Sequence, residues 1–336
     1  MMRLVNRLGW LACLVVALVA CAPKTSASAS VGSAQPLKLA IGQMPSSAVL
    51  WLTEEAGIFA KHGLRAELTP MNGAASIKSV VGGDQDSVVH AGAQLVLAAY
   101  AGGTSLKVPA VLQFAYDLQL VVPSSIASVQ DLRGKTVGAS SVSSAGASGA
   151  RRYLKEHGLE VDRDYRFIET GSAGSDAGMT AQLITRQIDV AALTPTFAEQ
   201  AVAQGGFRVL ADLASSDIRV ASNVLVFRSA YVEQHPDIVQ KTVDSLMEGV
   251  AYFKTHKAEA QKTLASRYEI SDQAQLDALY ERQSKLLERR PTPIKEDFVD
   301  TLSQLPKGSP PVSDAMLAAL VEPRFVEDAV RRGVAG

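Results

Sequence analysis

The feature that most constrains this chain is an alternation of short apolar runs with longer amphipathic ones. It starts at Leu37 and starts again after Val137. Apolar runs of about four to eight residues bounded by turn residues read as buried strands, and the intervening stretches carry apolar residues at helical spacing. In the first half the expected strands are Leu37–Gly42, Arg65–Thr69, Ser87–Ala91, Val108–Phe114 and Leu118–Val122. Helices are expected from Ser46 or Ser47 to Gly63, over Gly73–Val81 and over Gln94–Ala101, with none between the last two strands. In the second half Thr136–Ala139, Tyr165–Glu169, Ile188–Leu193, Phe207–Leu213 and Asn223–Phe227 read as strands. Helices over Ala147–His157, Gly178–Gln187 and Thr196–Gln204 separate them. Beyond Ser229 only helices are expected: Pro236–His256, Lys257–Tyr268, Asp272–Leu287 and Met316–Val321. Strand–helix repetition implies mostly parallel sheets covered on both faces. The fold class is therefore α/β, two lobes with a helical C-terminal tail.

Composition narrows the function classes. The 336 residues are 47% hydrophobic and 20% charged, ample for two cores. A formal net charge of −1 gives no electrostatic case for nucleic acid. Both cysteines, Cys13 and Cys21, lie in the first 21 residues, so the remainder has no thiol for catalysis, a disulfide or a metal. Neither a cofactor nor a metal is expected. At the N-terminus Arg3 and Arg7 precede an apolar run, Leu8–Ala20, that is short for a bilayer span. It ends in Leu18-Val19-Ala20-Cys21, which resembles the bacterial lipobox, in which the cysteine is lipidated after cleavage. Residues 1–21 are thus expected to be a lipoprotein signal peptide and residues 22–36, rich in Ser and Ala, a disordered tether. An ordinary cleaved signal or an anchor helix is the competing reading. Removing the first 20 residues leaves 31 basic against 34 acidic side chains, a formal charge of −3.

In α/β sheets ligands sit outside the carboxyl ends of the strands, where helices begin. Five loops converge there. They are Gln43-Met44-Pro45, Asn72-Gly73, Gly92-Ala93-Gln94, Ser140 to Ser148, and Thr194-Pro195-Thr196. The ligand contacts expected from them are Gln43, Met44, Asn72, Gly73, Gly92, Gln94, Ser140, Ser143, Ser144, Ser148, Thr194 and Thr196. Gly171–Ser175, beside Asp176, is a further candidate loop. The five loops contain no Lys or Arg, so an anion there must be held by helix N-termini, hydroxyls and amides. The Ser140–Ser148 stretch reads equally as a flexible Ser/Gly turn. Ser46 and Thr196 read as helix caps or as ligand contacts, and Trp51 as core or as a stacking platform. His90 reads as a structural histidine ahead of a catalytic one, and Tyr116-Asp117 as cleft wall or solvated turn. The basic stretch Lys285–Arg290 reads as a solvated helix end, with partner docking as the alternative.

Three segments carry a family likeness. Leu52-Thr53-Glu54-Glu55-Ala56-Gly57-Ile58-Phe59-Ala60-Lys61-His62-Gly63-Leu64 resembles the stretch after the first strand of periplasmic solute-binding proteins. Asp131-Leu132-Arg133-Gly134-Lys135-Thr136-Val137-Gly138 is similar to the opening of their second lobe, and Ile188-Asp189-Val190-Ala191-Ala192-Leu193 to a later strand. Together they resemble the NMT1/THI5-like group of ABC-importer binding proteins, of nitrate, sulfonate and taurine type, over about Leu37 to Leu287. The chain departs from that pattern at His90-Ala91-Gly92-Ala93-Gln94, where the family often has a Gly-Ser-rich turn.

The resemblance implies a type II periplasmic-binding-protein fold whose lobes close like a hinged trap. Lobe one maps to residues 37–119 plus 222–336, lobe two to 123–216, and the crossovers near 120–122 and 217–221. It implies a monomeric, non-enzymatic lipoprotein, anchored in the periplasm or on the outer face of the cell membrane. Its partners would be a small-molecule ligand and an ABC permease in the inner membrane. The expected ligand is a small organic anion such as an alkanesulfonate, taurine or nitrate. A pyrimidine of the thiamine-precursor kind is the alternative, reached by Trp51, Phe114, Tyr116 or Phe197. An enzyme on the same bilobal fold is the competing class, resting on His90.

Overall fold

A computed structural model describes residues 34–42, 44–71, 73–82, 87–139, 144–170 and 175–334. Cys21, Gln43, Asn72, Ser140 and Ser143 lie outside these described residues. The first half runs β1 (Gln35–Gly42), α1 (Ala48–Glu55), α2 (Ile58–Lys61), β2 (Leu64–Met71), α3 (Gly73–Gly82), β3 (Ser87–Gly92), α4 (Ala93–Ala101) and β4 (Leu106–Gln113). The middle runs β5 (Gln119–Pro123), β6 (Thr136–Ala139), α5 (Ala145–Glu156), β7 (Arg166–Glu169), α6 (Asp176–Ile184), β8 (Val190–Leu193), α7 (Pro195–Ala203) and β9 (Phe207–Asp212). The chain then continues as β10 (Asn223–Arg228), α8 (Ser229–Gln234), α9 (Pro236–Thr255), α10 (Lys257–Tyr268) and α11 (Gln273–Leu286). It finishes with α12 (Val299–Leu302), α13 (Asp314–Leu320) and α14 (Arg324–Arg331).

Two five-stranded sheets result, ordered β2-β1-β3-β10-β4 and β7-β6-β8-β5-β9. Each is parallel except for one strand: β10 runs antiparallel to β3 and β4, and β5 antiparallel to β8 and β9. The odd strand in each sheet is the one the chain makes immediately after crossing from the other sheet. Both faces of both sheets are covered. In the first lobe Leu37, Leu39 and Ile41 pack with α1, α9 and α11, while Ala40, Val89 and Ala91 pack with α4 and α13 on the opposite face. In the second lobe Val137 and Val190 pack with Leu154 of α5, and Val121 and Leu193 with Ala198 of α7.

The first crossing lies upstream of its expected place. Leu120, Val121 and Val122 are fully buried within β5, because neighbours on both sides make it an inner strand of the second sheet. The passage itself is 114–118, and the return runs through 216–222. The two passages lie side by side: the Val220 N–H donates to the Phe114 carbonyl at 3.1 Å and the Ser222 N–H to that of Gln113 at 3.0 Å. The helix expected from Ser46 to Gly63 is two helices, since Gly57 adopts φ +70°, a left-handed conformation that ends α1. Gly249, in the middle of α9, is required by close approach. A Cβ there would lie 1.9 Å from Thr53 Oγ1 on α1.

Candidate ligand-binding site

A cavity of about 560 Å³ is lined from both lobes. Its second-lobe wall is Thr194, Pro195, Thr196 and Glu199, the start of α7, together with Gln119 at the start of β5. Its first-lobe wall is Pro45 after β1, Tyr268 and Ile270 at the end of α10, and Gln275, Ala278, Leu279 and Arg282 of α11. Asp117, in the first passage, completes it.

The start of α7 is open on this side. Pro195 at its first position has no N–H, and helix geometry leaves the Thr196 and Phe197 N–H groups without an i−4 acceptor inside the helix. Thr194 occupies the cap position without capping. Its N–H donates to Asp176 Oδ2 at 2.9 Å and its hydroxyl to the same oxygen at 2.5 Å. Thr196 is exposed and is one of the residues lining the cavity.

Arg282, which the sequence did not single out, is the cavity's cation. Its guanidinium donates to Asp117 through Nε and to Asp212 at 2.8 and 3.1 Å. Burial pulls the Asp212 carboxyl upward, but the Arg282 guanidinium outweighs it and holds the pKa below the usual carboxylate range. Because Asp212 closes β9 and Arg282 sits on α11, this ion pair spans the two lobes. Gln283, next on the same helix, donates to Asp117 at 3.4 Å and accepts from Gln113 at 2.8 Å, and Gln113 accepts from Asn223 at 2.6 Å. One turn of α11 thus ties the first passage to β9 and, through Gln113, to β4 and β10. Arg219 reinforces the pair of passages from the other end, lying 3.6 Å over the Phe114 ring and donating to Asp297 at 2.7 Å.

The remaining expected residues are placed variously. Met44 does not line the cavity, but its carbonyl accepts from the Tyr268 hydroxyl at 2.5 Å, and Tyr268 does line it. Gly73 begins α3, and Gly92 precedes α4 with the Gln94 amide folded back beside it. Neither Gly92 nor Gln94 lines the cavity. Ser144 caps α5, accepting from the Ala147 N–H at 3.2 Å. Ser148 is buried 3.0 Å from Ser303 Oγ and lines a different cavity, of about 490 Å³, with Arg151, Arg152 and Asp300. The expected cluster is therefore divided: Thr194 and Thr196 share the 560 Å³ cavity, whereas Ser148 faces the first lobe's C-terminal segment.

His90 is fully buried on β3. The Ser47 hydroxyl donates to the Gly42 carbonyl at 2.5 Å, so at 3.0 Å from Ser47 the His90 Nδ1 carries the proton and donates. Burial pushes its pKa down to about 4, leaving a neutral imidazole whose Nε2 has no partner among the described residues. A neutral ring sealed behind a buried serine is poorly placed to exchange protons with a substrate. Among the aromatics, Tyr116 and Phe114 are buried, Phe197 packs into the second lobe, and Trp51 is half-buried. Trp51 carries the Arg267 guanidinium 3.9 Å above its ring and lines a further cavity of about 420 Å³. No group of three or more metal-ligating side chains occurs among the described residues.

The profile of the family described as NMT1/THI5 like matches residues 44–260. The chain belongs to the NMT1/THI5-like family. No curated protein matches this family member. Among solved structures it is similar to the alkanesulfonate-binding protein SsuA from Xanthomonas axonopodis pv. citri bound to MOPS. That match has 19% identity and a TM-score of 0.60, covering 85% of this chain and 98% of that one. It is similar also to the periplasmic nitrate-binding protein NrtA from Synechocystis PCC 6803, at 14% identity and TM-score 0.63, covering 89% of each chain. DSZB in complex with biphenyl-2-sulfinic acid matches at 18% identity and TM-score 0.63, covering 89% of this chain and 99% of that one. At such identities the likeness is one of fold, the two-lobed type II periplasmic-binding-protein fold.

Proposed function

We propose that this chain is the extracytoplasmic solute-binding lipoprotein of an ABC importer, which captures a small organic anion of alkanesulfonate, taurine or nitrate type between its lobes. The observation that carries the reading is the 560 Å³ cavity, lined from both lobes and facing the uncapped start of α7. An anion there meets backbone N–H groups, the Thr196 hydroxyl and the positive end of a helix dipole, worth about 0.3–1 kcal/mol and up to ~2 when partly buried. Arg282 adds a cation at the far wall, shared with two carboxylates. The relatives named as binding a sulfonate or nitrate agree with this class of ligand.

A thermal-shift screen of sulfonates, nitrate, carboxylates and pyrimidines tests it, since binding to the native state alone raises the melting temperature. A shift with sulfonates or nitrate is expected. A shift with pyrimidines alone would replace the anion by an aromatic ligand, the second reading, for which Trp51 beside the 420 Å³ cavity is the supporting observation. The buried, neutral His90 argues against the enzymatic class. Cys21 is the proposed lipid anchor, and Cys21→Ala should move the protein out of the membrane fraction. Retention of the processed variant there would refute the anchor.

A further inference from the structure

The interlobe cavity is electrically unbalanced. Its lining holds two carboxylates, Asp117 and Glu199, and one guanidinium, Arg282. Arg282 directs its donors to Asp117 and to Asp212, so the cation of the lining is already matched. Glu199 is exposed and has no hydrogen-bond or ion-pair partner among the described residues. Asp176, bonded to Thr194, adds negative charge: it accepts from the Thr194 N–H and hydroxyl and has no ion-pair partner among the described residues. We infer that Glu199 is the charge selector of this site, favouring a ligand with an ammonium group beside its anionic head over a plain anion.

Position supports the assignment. Thr196 and Glu199 both line the cavity and stand three residues apart on α7. Residues at that spacing share a helix face, with Cβ atoms about 5–6 Å apart. An anionic head at the α7 start thus brings a cation to Glu199 when about two or three carbons separate the two charges. A bare anion leaves that carboxylate unanswered and is repelled by it. The facing wall supplies no further cation: besides the committed Arg282, α11 presents Gln275, Ala278 and Leu279. Exposure sets the size of the effect. An ion pair open to water changes affinity by at most about fivefold, and salt weakens it. Glu199 therefore selects among anions, while the helix start holds the head.

The inference rests on the anion-binding reading above and narrows its ligand class, so head group and tail charge are varied separately. Wild-type, Glu199→Gln and Glu199→Lys proteins are titrated calorimetrically, as full chains, with 2-aminoethanesulfonate and its near-isostere 2-hydroxyethanesulfonate. The matching carboxylates, 3-aminopropanoate and 3-hydroxypropanoate, and nitrate are titrated in parallel. In wild type the amino compound of each pair should bind about fivefold more tightly than the hydroxy compound, and the gap should narrow with salt. Glu199→Gln, which keeps the shape and loses the charge, should bring the pair within about twofold, and Glu199→Lys should reverse the order. A wild-type gap below about twofold, or an undiminished gap in folded Glu199→Gln protein, would overturn the selector. Binding of nitrate alone would also overturn it, and would leave the anion reading standing. Binding of the carboxylates but of neither sulfonate would instead overturn the sulfonate head, while the amino-to-hydroxy gap still decides the role of Glu199. No binding of any compound to any variant would overturn both.

Discussion

The two lobes share one strand order and differ in what is built on it. The first sheet is buttressed by the long C-terminal helices: α9 and α10 pack Leu246, Phe253 and Leu264 over β1, and α11 brings Leu279 and Arg282 to the cavity. The second sheet has short strands of buried small residues, Thr136–Ala139 and Val190–Leu193, and presents helix starts with few side chains over them. The difference is a division of labour. The first lobe supplies most of the side-chain wall and its arginine, and the second supplies the start of α7 and Gln119. Helix donors lie in the fold itself, whereas a wall made by the tail can change without disturbing either sheet.

The largest expected effect probes the second lobe. In Thr196→Asp a carboxylate stands among the α7 donors, and Thr196→Asn is its uncharged control. Two charges ~5 Å apart at an effective dielectric near 20 repel by about 3 kcal/mol, about a hundredfold in affinity. Asp should therefore weaken an anionic ligand at least tenfold more than Asn in calorimetry, and the gap should narrow as salt rises. Equal affinities would remove the anion from this helix start and dissolve the contrast between the lobes.

A smaller effect tests the tie between them. Arg282→Ala leaves Asp117 and Asp212 facing each other without their cation. Losing one partner of a fully buried pair costs about 3–5 kcal/mol; these carboxylates are 26% and 27% exposed, so about 2 kcal/mol is expected in denaturant unfolding. The pH dependence fixes the sign. The native pKa of Asp212 is depressed, so its contribution is present above the unfolded value of 3.8 and is lost as pH falls through the native one. The difference between wild type and variant should thus shrink below about pH 4. A pH-independent difference would make Arg282 a packing residue.

The smallest effect tests the buttress. Gly249→Ala gains helix propensity of about 1 kcal/mol but drives a methyl into Thr53, and overpacking costs about 1–3 kcal/mol. A net loss of about 1 kcal/mol is expected by thermal unfolding, and a gain would show that α9 and α1 can separate freely.

Much of this architecture is legible in the sequence because buried strands declare themselves as apolar runs. Thr136–Ala139 is both the expected and the observed strand, and the α9 and α10 spans differ by at most one residue from expectation. What escaped depends on distant partners. Nothing local marks Arg282, whose carboxylates lie 165 and 70 positions away. Leu118–Val122 reads as a strand in the sequence, but only its pairing with β8 and β9 makes it an inner strand of the second sheet instead of a crossover. The apolar spacing of Leu52, Ile58 and Phe59 continues through Gly57 and hides the break there. Within the site, Thr194 and Thr196 are legible as a strand-to-helix loop. The division of Ser148 from them is not, because it follows from a contact with Ser303. The α14 signal, Phe325, Val326 and Ala329 on one face, was present in the sequence, though the segment is only eight residues long.

The central claim is that a small anion is captured between lobes that close on it. Small-angle scattering of the protein with and without the sulfonate or nitrate that gives the largest thermal shift tests it most directly. The account predicts a smaller radius of gyration at saturation, as the lobes rotate about 114–118 and 216–222. An unchanged radius, with saturation verified by calorimetry on the same sample, would contradict it.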